Sequence, residues 1–314
     1  MFRTINMKIS HIILLTAAIL LASCTQQKKQ TDITSIGTTP CLAQPYYLGK
    51  TGLNRHAAVL STSEKKIKGL VLVEYNQENG RVSIGKTWQH PSWSKYGWLG
   101  PIATDEKGNT YAAPVPVINV LENPVRQQNT VLKVDGQTAE MKPLIALPLP
   151  GSITHDNPYG LLGIYYDCDS RLIFASSVAG SDRKHERGII YIINPDNGSI
   201  QDKLEGIDAM GLCTGGVTGE RRLYIGSSRQ PFIYSIGLSG KGKFSGELKK
   251  EISLDMMGPR GDDKARRIRF DNTGVLQVFG IEFNYNLTAA TEKQESVYYF
   301  NYDSNTKQWA AVSR

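Results

Sequence analysis

From residue 57 to residue 314, apolar and polar positions fall into short runs parted by polar turns, with no sustained 3.6-residue apolar period. VLKVD from Val131 and IIYIIN from Ile189 read as strands with one face against a neighbouring sheet. Four segments superimpose: GPIATDEKGNTYAAP from Gly100, GIYYDCDSRLIFASS from Gly163, GGVTGERRLYIGSS from Gly215 and RIRFDNTGVLQVFGI from Arg267. Each is an apolar run, a turn rich in Asp, Asn, Gly or Ser, and a second apolar run, which predicts a hairpin. A third strand follows each time, and GLVLVEYNQENGRV from Gly69, preceded by AAVLSTSEKKIK, is an earlier copy. Second strands begin near Ala57, Thr110, Leu172, Leu223 and Leu276, a period of about 50 residues. A small antiparallel sheet cannot bury both faces alone, whereas sheets packed around an axis can. The pattern therefore predicts an all-β fold, a β-propeller over residues 41–314. Five repeats are visible, and a sixth blade would combine Pro40–Asn54 with the C-terminus.

The first forty residues follow another pattern. Arg3 and Lys8 precede an apolar run from Ile12 to Ala22, too short for the roughly 20 residues that cross a bilayer but matching a signal peptide over residues 1–23. Leu21-Ala22-Ser23-Cys24 resembles the bacterial lipobox. Small side chains there admit a peptidase, and the thiol is the nucleophile that takes up lipid. The resemblance implies cleavage before Cys24, a diacylglyceryl thioether on its sulfur and an acylated amine, several chains together giving firm membrane attachment. Residues 24–40 are polar and aperiodic and read as a lipidated tether. No acidic cluster follows Cys24, which favours a lipid-anchored position in the bacterial envelope, at the outer membrane and facing the periplasm.

Composition narrows the partners. Hydrophobic residues make up 40 %, enough for a large core, so disorder is excluded. The formal net charge is +7, and Arg3 and Lys8 belong to the signal, so the mature excess is mild. It suits anionic envelope surfaces or glycans without requiring them, and export makes nucleic acid an unsuitable partner. With Cys24 assigned to lipid, Cys41, Cys168 and Cys213 remain. One disulfide among them is permitted in an oxidising compartment, and the spacing does not select it.

Propeller ligands meet loops at one mouth of the central channel, so the segments leading into each blade carry the candidate site: Gly52–His56, His90–Trp98, Thr154–Tyr159, Asp208–Met210 and Gly258–Arg267. His56, Trp98, His155, Asn157, Asp208 and Arg266 are the candidate ligand-binding residues. Aromatic faces beside hydrogen-bonding groups suit a sugar-like or aromatic ligand, and arginines suit a carboxylate or phosphate. The bland reading is that the tryptophans pack blades and the charges are solvated. No G-x-S-x-G elbow, H-E-x-x-H helix or phosphate loop is present, and no catalytic residue is assigned.

NPYGLLGIYYDCDSRLIFASS, from Asn157, resembles the senescence-marker-protein and gluconolactonase lactonases with their NHL and strictosidine-synthase-like relatives. That resemblance implies six blades, with five as the alternative, and a calcium ion polarising a lactone carbonyl, with Asn157 as a metal ligand. Two family carboxylates are missing: Leu99 stands in the Glu-Gly-Pro turn, and Ser176-Ser177 replace Asp-Ser. The sequence therefore favours a non-enzymatic, membrane-tethered propeller, without a required cofactor, that binds a small molecule, glycan or envelope protein. The alternatives are a calcium-dependent lactonase- or esterase-like hydrolase with a rearranged site, and a scaffold subunit of an envelope complex.

Overall fold

β-branched and aromatic runs become strands wherever a polar turn stops them. The computed structural model describes residues 43–62, 67–78, 80–115, 125–149, 157–217, 219–240, 242–285 and 294–313. They form five antiparallel sheets. The first holds β1 (Ala58–Ser61), β2 (Val71–Glu78) and β3 (Arg81–Trp88). The second holds β4 (Leu99–Thr104), β5 (Thr110–Pro114), β6 (Thr130–Val134) and β7 (Met141–Ala146), and the third β8 (Leu161–Asp167), β9 (Leu172–Ser177), β10 (Ile189–Ile193) and β11 (Ile200–Glu205). The fourth runs β12 (Ala209–Val217), β13 (Glu220–Ser227), β14 (Phe232–Leu238) and β15 (Phe244–Ser253), the fifth β16 (Lys264–Phe270), β17 (Leu276–Ile281), β18 (Ser296–Asp303) and β19 (Gln308–Ala311). Among the described residues helix is confined to a 3-10 turn at Tyr46–Lys50 and the four-residue α1 (Val125–Gln128). None of the described helices is long and apolar enough to cross a membrane.

Within each sheet the strands pair in chain order, as in propeller blades. Each apolar core lies between two consecutive sheets. Leu72 meets Leu99 and Leu132; Tyr111 and Val131 meet Ile164 and Ile173. Phe174, Ile190 and Ile192 meet Leu212 and Ile225, and Tyr224 and Ile233 meet Ile268 and Val278. A middle strand thus serves two cores. On β10, Ile189, Tyr191 and Ile193 face one way and Ile190 and Ile192 the other, so all five are buried. The innermost strands converge at glycines. A Cβ on Gly163 would sit 2.1 Å from the Met210 carbonyl oxygen, and one on Gly211 2.7 Å from that of Ala265, so a side chain at either position would force β8, β12 and β16 apart.

Local turn chemistry closes the hairpins. Asp105 Oδ1 accepts the N–H groups of Lys107 and Asn109 at 2.9 and 2.8 Å, and Asp271 Oδ1 those of Thr273 and Val275 at 2.9 and 3.0 Å. These turns lie where the innermost strands finish, the far end. The mouth is where those strands begin.

The first sheet differs from the rest. Thr62 Oγ1, just past β1, donates to Gly100 O at the start of β4 (2.8 Å), so β1 runs opposite to β4. The connection from β3 leads into β4 as those from β7, β11 and β15 lead into β8, β12 and β16. By direction, β1 to β3 therefore occupy the second to fourth places of a blade, and no strand among the described residues fills the first. Five blades are described, the alternative count. In place of the sixth, the described part of Pro40–Asn54 forms the 3-10 turn, and β18 and β19 complete the fifth sheet. The described residues all belong to one unit, Asp32–Arg314; the signal (1–23) and the 24–40 tether lie outside them.

Candidate functional site: a recess at the mouth

Three loops at the mouth border an open recess of about 450 Å³: Arg183 from the β9–β10 loop, Ser228, Arg229 and Gln230 from the β13–β14 loop, and Phe283, Asn284 and Tyr285 after β17. The β13–β14 loop turns tightly because Ser227 Oγ accepts the N–H groups of Arg229 and Gln230, both at 3.1 Å. Asp208, fully buried, is the foundation. Its Oδ2 accepts Arg229 Nε at 2.6 Å and the Tyr285 hydroxyl at 2.5 Å, and its Oδ1 accepts the Ser181 hydroxyl. Glu186 Oε1 accepts the Asp208 N–H at 2.8 Å. Arg229 also donates to the carbonyls of Asp182 and His185, and its guanidinium lies 5.2 Å from the Tyr285 ring centroid. One carboxylate thereby fixes three loops.

Burial works against the Arg229 charge, but the Asp208 hydrogen bond together with the charges of Tyr285, Asp208 and Glu186 outweighs it. Burial, reinforced by Asp208, pushes the Tyr285 hydroxyl far above its ordinary range, so it remains a donor. Phe283 bridges two rings, 5.5 Å from Tyr285 and 5.2 Å from Tyr159. Arg183, Gln230 and Asn284 are exposed at the rim, while Phe283 is half-buried. An aromatic wall with planar amides and a guanidinium at its edge can hold a ring-shaped polar ligand by stacking and hydrogen bonding.

Of the described residues singled out by sequence, Asp208 alone belongs to this recess, beneath it. His56 is exposed at the far end: its segment leads into β1, which runs opposite to the innermost strands, and neighbouring Arg55 bonds Gln44 beside the β4–β5 turn. Trp98 is half-buried at the mouth, its carbonyl accepting the Val115 N–H. Arg266 is exposed and lies 3.5 Å from Glu295. His155 falls outside the described residues. Trp93 is wholly buried, donating from Nε1 to Ala139 O at 2.7 Å and stacking edge-on with Trp88. The missed residues carry a faint repeated signal: Ser176-Ser177 followed by Arg183, and Ser227-Ser228-Arg229, after corresponding strands.

The described residues do not fit a calcium ion. Asn157 donates from Nδ2 to Val178 O (2.7 Å) and accepts the Tyr159 N–H at Oδ1 (2.9 Å), so its oxygen already has a partner. Leu99 is core, and Ser177 is fully buried with its hydroxyl on Asn129 Oδ1. Among the described residues no group of three or more His, Cys, Asp or Glu could hold a metal.

No family model and no curated protein matches the chain. Among solved structures, it is similar to an exo-β-1,3-galactanase from Phanerochaete chrysosporium at 10 % identity and TM-score 0.45, covering 88 % of this chain and 68 % of that one. A putative 6-phosphogluconolactonase from Bacteroides uniformis matches at 12 % identity and TM-score 0.39, with coverage of 82 % and 80 %. BamB from Moraxella catarrhalis matches at 10 % identity and TM-score 0.38, with coverage of 77 % and 60 %. The chain is a β-propeller by its own sheets and cores.

Proposed function

We propose that the protein is a lipid-anchored receptor of the bacterial envelope whose propeller binds a glycan in the mouth recess without transforming it. The observation that carries this reading is the division of labour in the recess. Buried Asp208 and half-buried Arg229 are occupied in holding three loops, while the rim carries an aromatic ring, planar amides and the Arg183 guanidinium. A sugar ring needs that combination, an apolar face to stack and planar groups to meet its hydroxyls. The anchor rests on Leu21–Cys24.

Isothermal titration of the purified body against a panel of neutral and uronate-containing oligosaccharides tests the binding arm. Saturable binding is expected, weakened roughly tenfold in Phe283→Ala, about 1.4 kcal/mol. Binding unchanged in Phe283→Ala and Gln230→Ala, or turnover of the sugar, contradicts it. Metabolic labelling with a clickable fatty acid tests the anchor, and label should be lost in Cys24→Ser.

A further inference from the structure

The N-terminal end of the described residues meets the blades at the end opposite the recess. Pro45 lies so close to the β4–β5 turn that a Cβ on Gly108 would come within 2.8 Å of Pro45 Cα. The Tyr47 N–H donates to Gly136 O in the β6–β7 turn at 3.2 Å, and Gln44 Nε2 donates to Arg55 O at 3.1 Å. A further attachment lies at the same end: Cys168, in the β8–β9 turn, is disulfide-bonded. Cys213 is a free thiol buried among Tyr224, Ile268 and Leu276, which leaves Cys24 and Cys41 of the four cysteines in the sequence to be considered. The recess stands at the other face, one innermost strand away, and at about 3.3 Å per residue the seven residues of β8 separate the faces by roughly 20 Å.

We propose that Cys168 is joined to Cys41, and that this bond, with the contacts of Gln44, Pro45 and Tyr47, makes the tether leave from the far end and turns the recess away from the membrane. The inference rests on the lipid anchor, because a Cys24 sulfur converted to a thioether cannot form a disulfide. In forming the bond, two thiols give up two protons and two electrons to a disulfide-exchange oxidant of the envelope, which is reduced to its dithiol. An open chain of the length from Cys24 to Cys41 reaches about 20–25 Å, close to the depth of the blades. Its point of departure therefore decides which face lies nearest the bilayer.

The test uses the full-length lipidated protein in phosphatidylethanolamine–phosphatidylglycerol vesicles doped with a headgroup-chelated paramagnetic ion. Fluorophores are placed by Gln137→Cys at the far end or Lys184→Cys at the mouth, both positions being exposed. Loss of most of the signal at position 137 with little loss at position 184 is expected, and the contrast should narrow in Cys41→Ser. Equal or stronger quenching at position 184, in protein whose mass shows lipid on Cys24, overturns the orientation and leaves the anchor standing. Unreduced peptide mapping needs no variant. It should return a Cys41–Cys168 peptide with Cys213 free, whereas a Cys24–Cys168 peptide overturns both the orientation and the anchor.

Discussion

Asp208 shows how a polar residue in a propeller can be decisive without touching a ligand. Its carboxylate lies at 0 % exposure, so its cost of burial is offset by the donors around it, Arg229, Tyr285 and Ser181. Replacing Asp208 with Asn removes the carboxylate bonded to the Arg229 guanidinium. Urea unfolding should show a loss of about 3 kcal/mol, towards the lower end for a broken buried pair because Arg229 keeps some solvent contact. Tyr285→Phe removes one hydrogen bond to that charge and should cost about 1.5–3 kcal/mol. An Asp208→Asn variant as stable as the native protein contradicts this account. Asn157 and Asp263 follow the same logic, each buried and bonded within the chain near the start of an innermost strand.

At the scale of elements, position within the blade decides how a strand is used. The middle strand β10 is buried throughout, whereas the outer strand β11 alternates between exposed and half-buried positions. Ile192→Ala in β10 opens a cavity between the third and fourth sheets and should cost about 2–5 kcal/mol. Ile200→Ala in β11, where the side chain is already 37 % exposed, should cost about 0.5 kcal/mol. Chemical denaturation of both variants checks the contrast, and equal losses would mean that the sheets do not share a core at β10. The sequences match these places in the stack: β10 is apolar throughout (IIYII), whereas β11 is mostly polar (IQDKLE).

Across the whole molecule, buried carboxylates link neighbouring blades and set the acid limit of the fold. Asp167, at the end of β8, accepts bonds from Arg221 and Thr214 of the fourth sheet and from Ser170 in its own turn. Burial alone would raise its pKa, but the bonds from Arg221, Ser170 and Thr214 outweigh burial and hold it below the ordinary carboxylate value. Asp263 behaves alike, with Arg260 and Tyr298 overcoming burial. A carboxyl depressed in the folded state contributes its full stability above the unfolded pKa of about 4 and loses it as pH falls through the lower folded value. The urea midpoint should therefore stay level from neutrality to about pH 5 and decline below about pH 4. Asp167→Asn should flatten that decline, and a midpoint unchanged in strong acid contradicts the assignment.

The sequence determined the all-β architecture, the hairpin turns and the repeat spacing, because strand alternation and Asp- and Gly-rich turns are local properties of the chain. It also placed Asp208 at the mouth, since that residue directly precedes an innermost strand. Tertiary structure alone decided that Trp93 is core, that Asn157 is bonded at both ends of its amide, and that His56 stands at the opposite face. It likewise decided that Arg183, Arg229, Phe283 and Tyr285 meet in one recess. Burial, strand direction and the meeting of loops about 50–100 residues apart in the chain depend on how blades stack, and no local pattern encodes them.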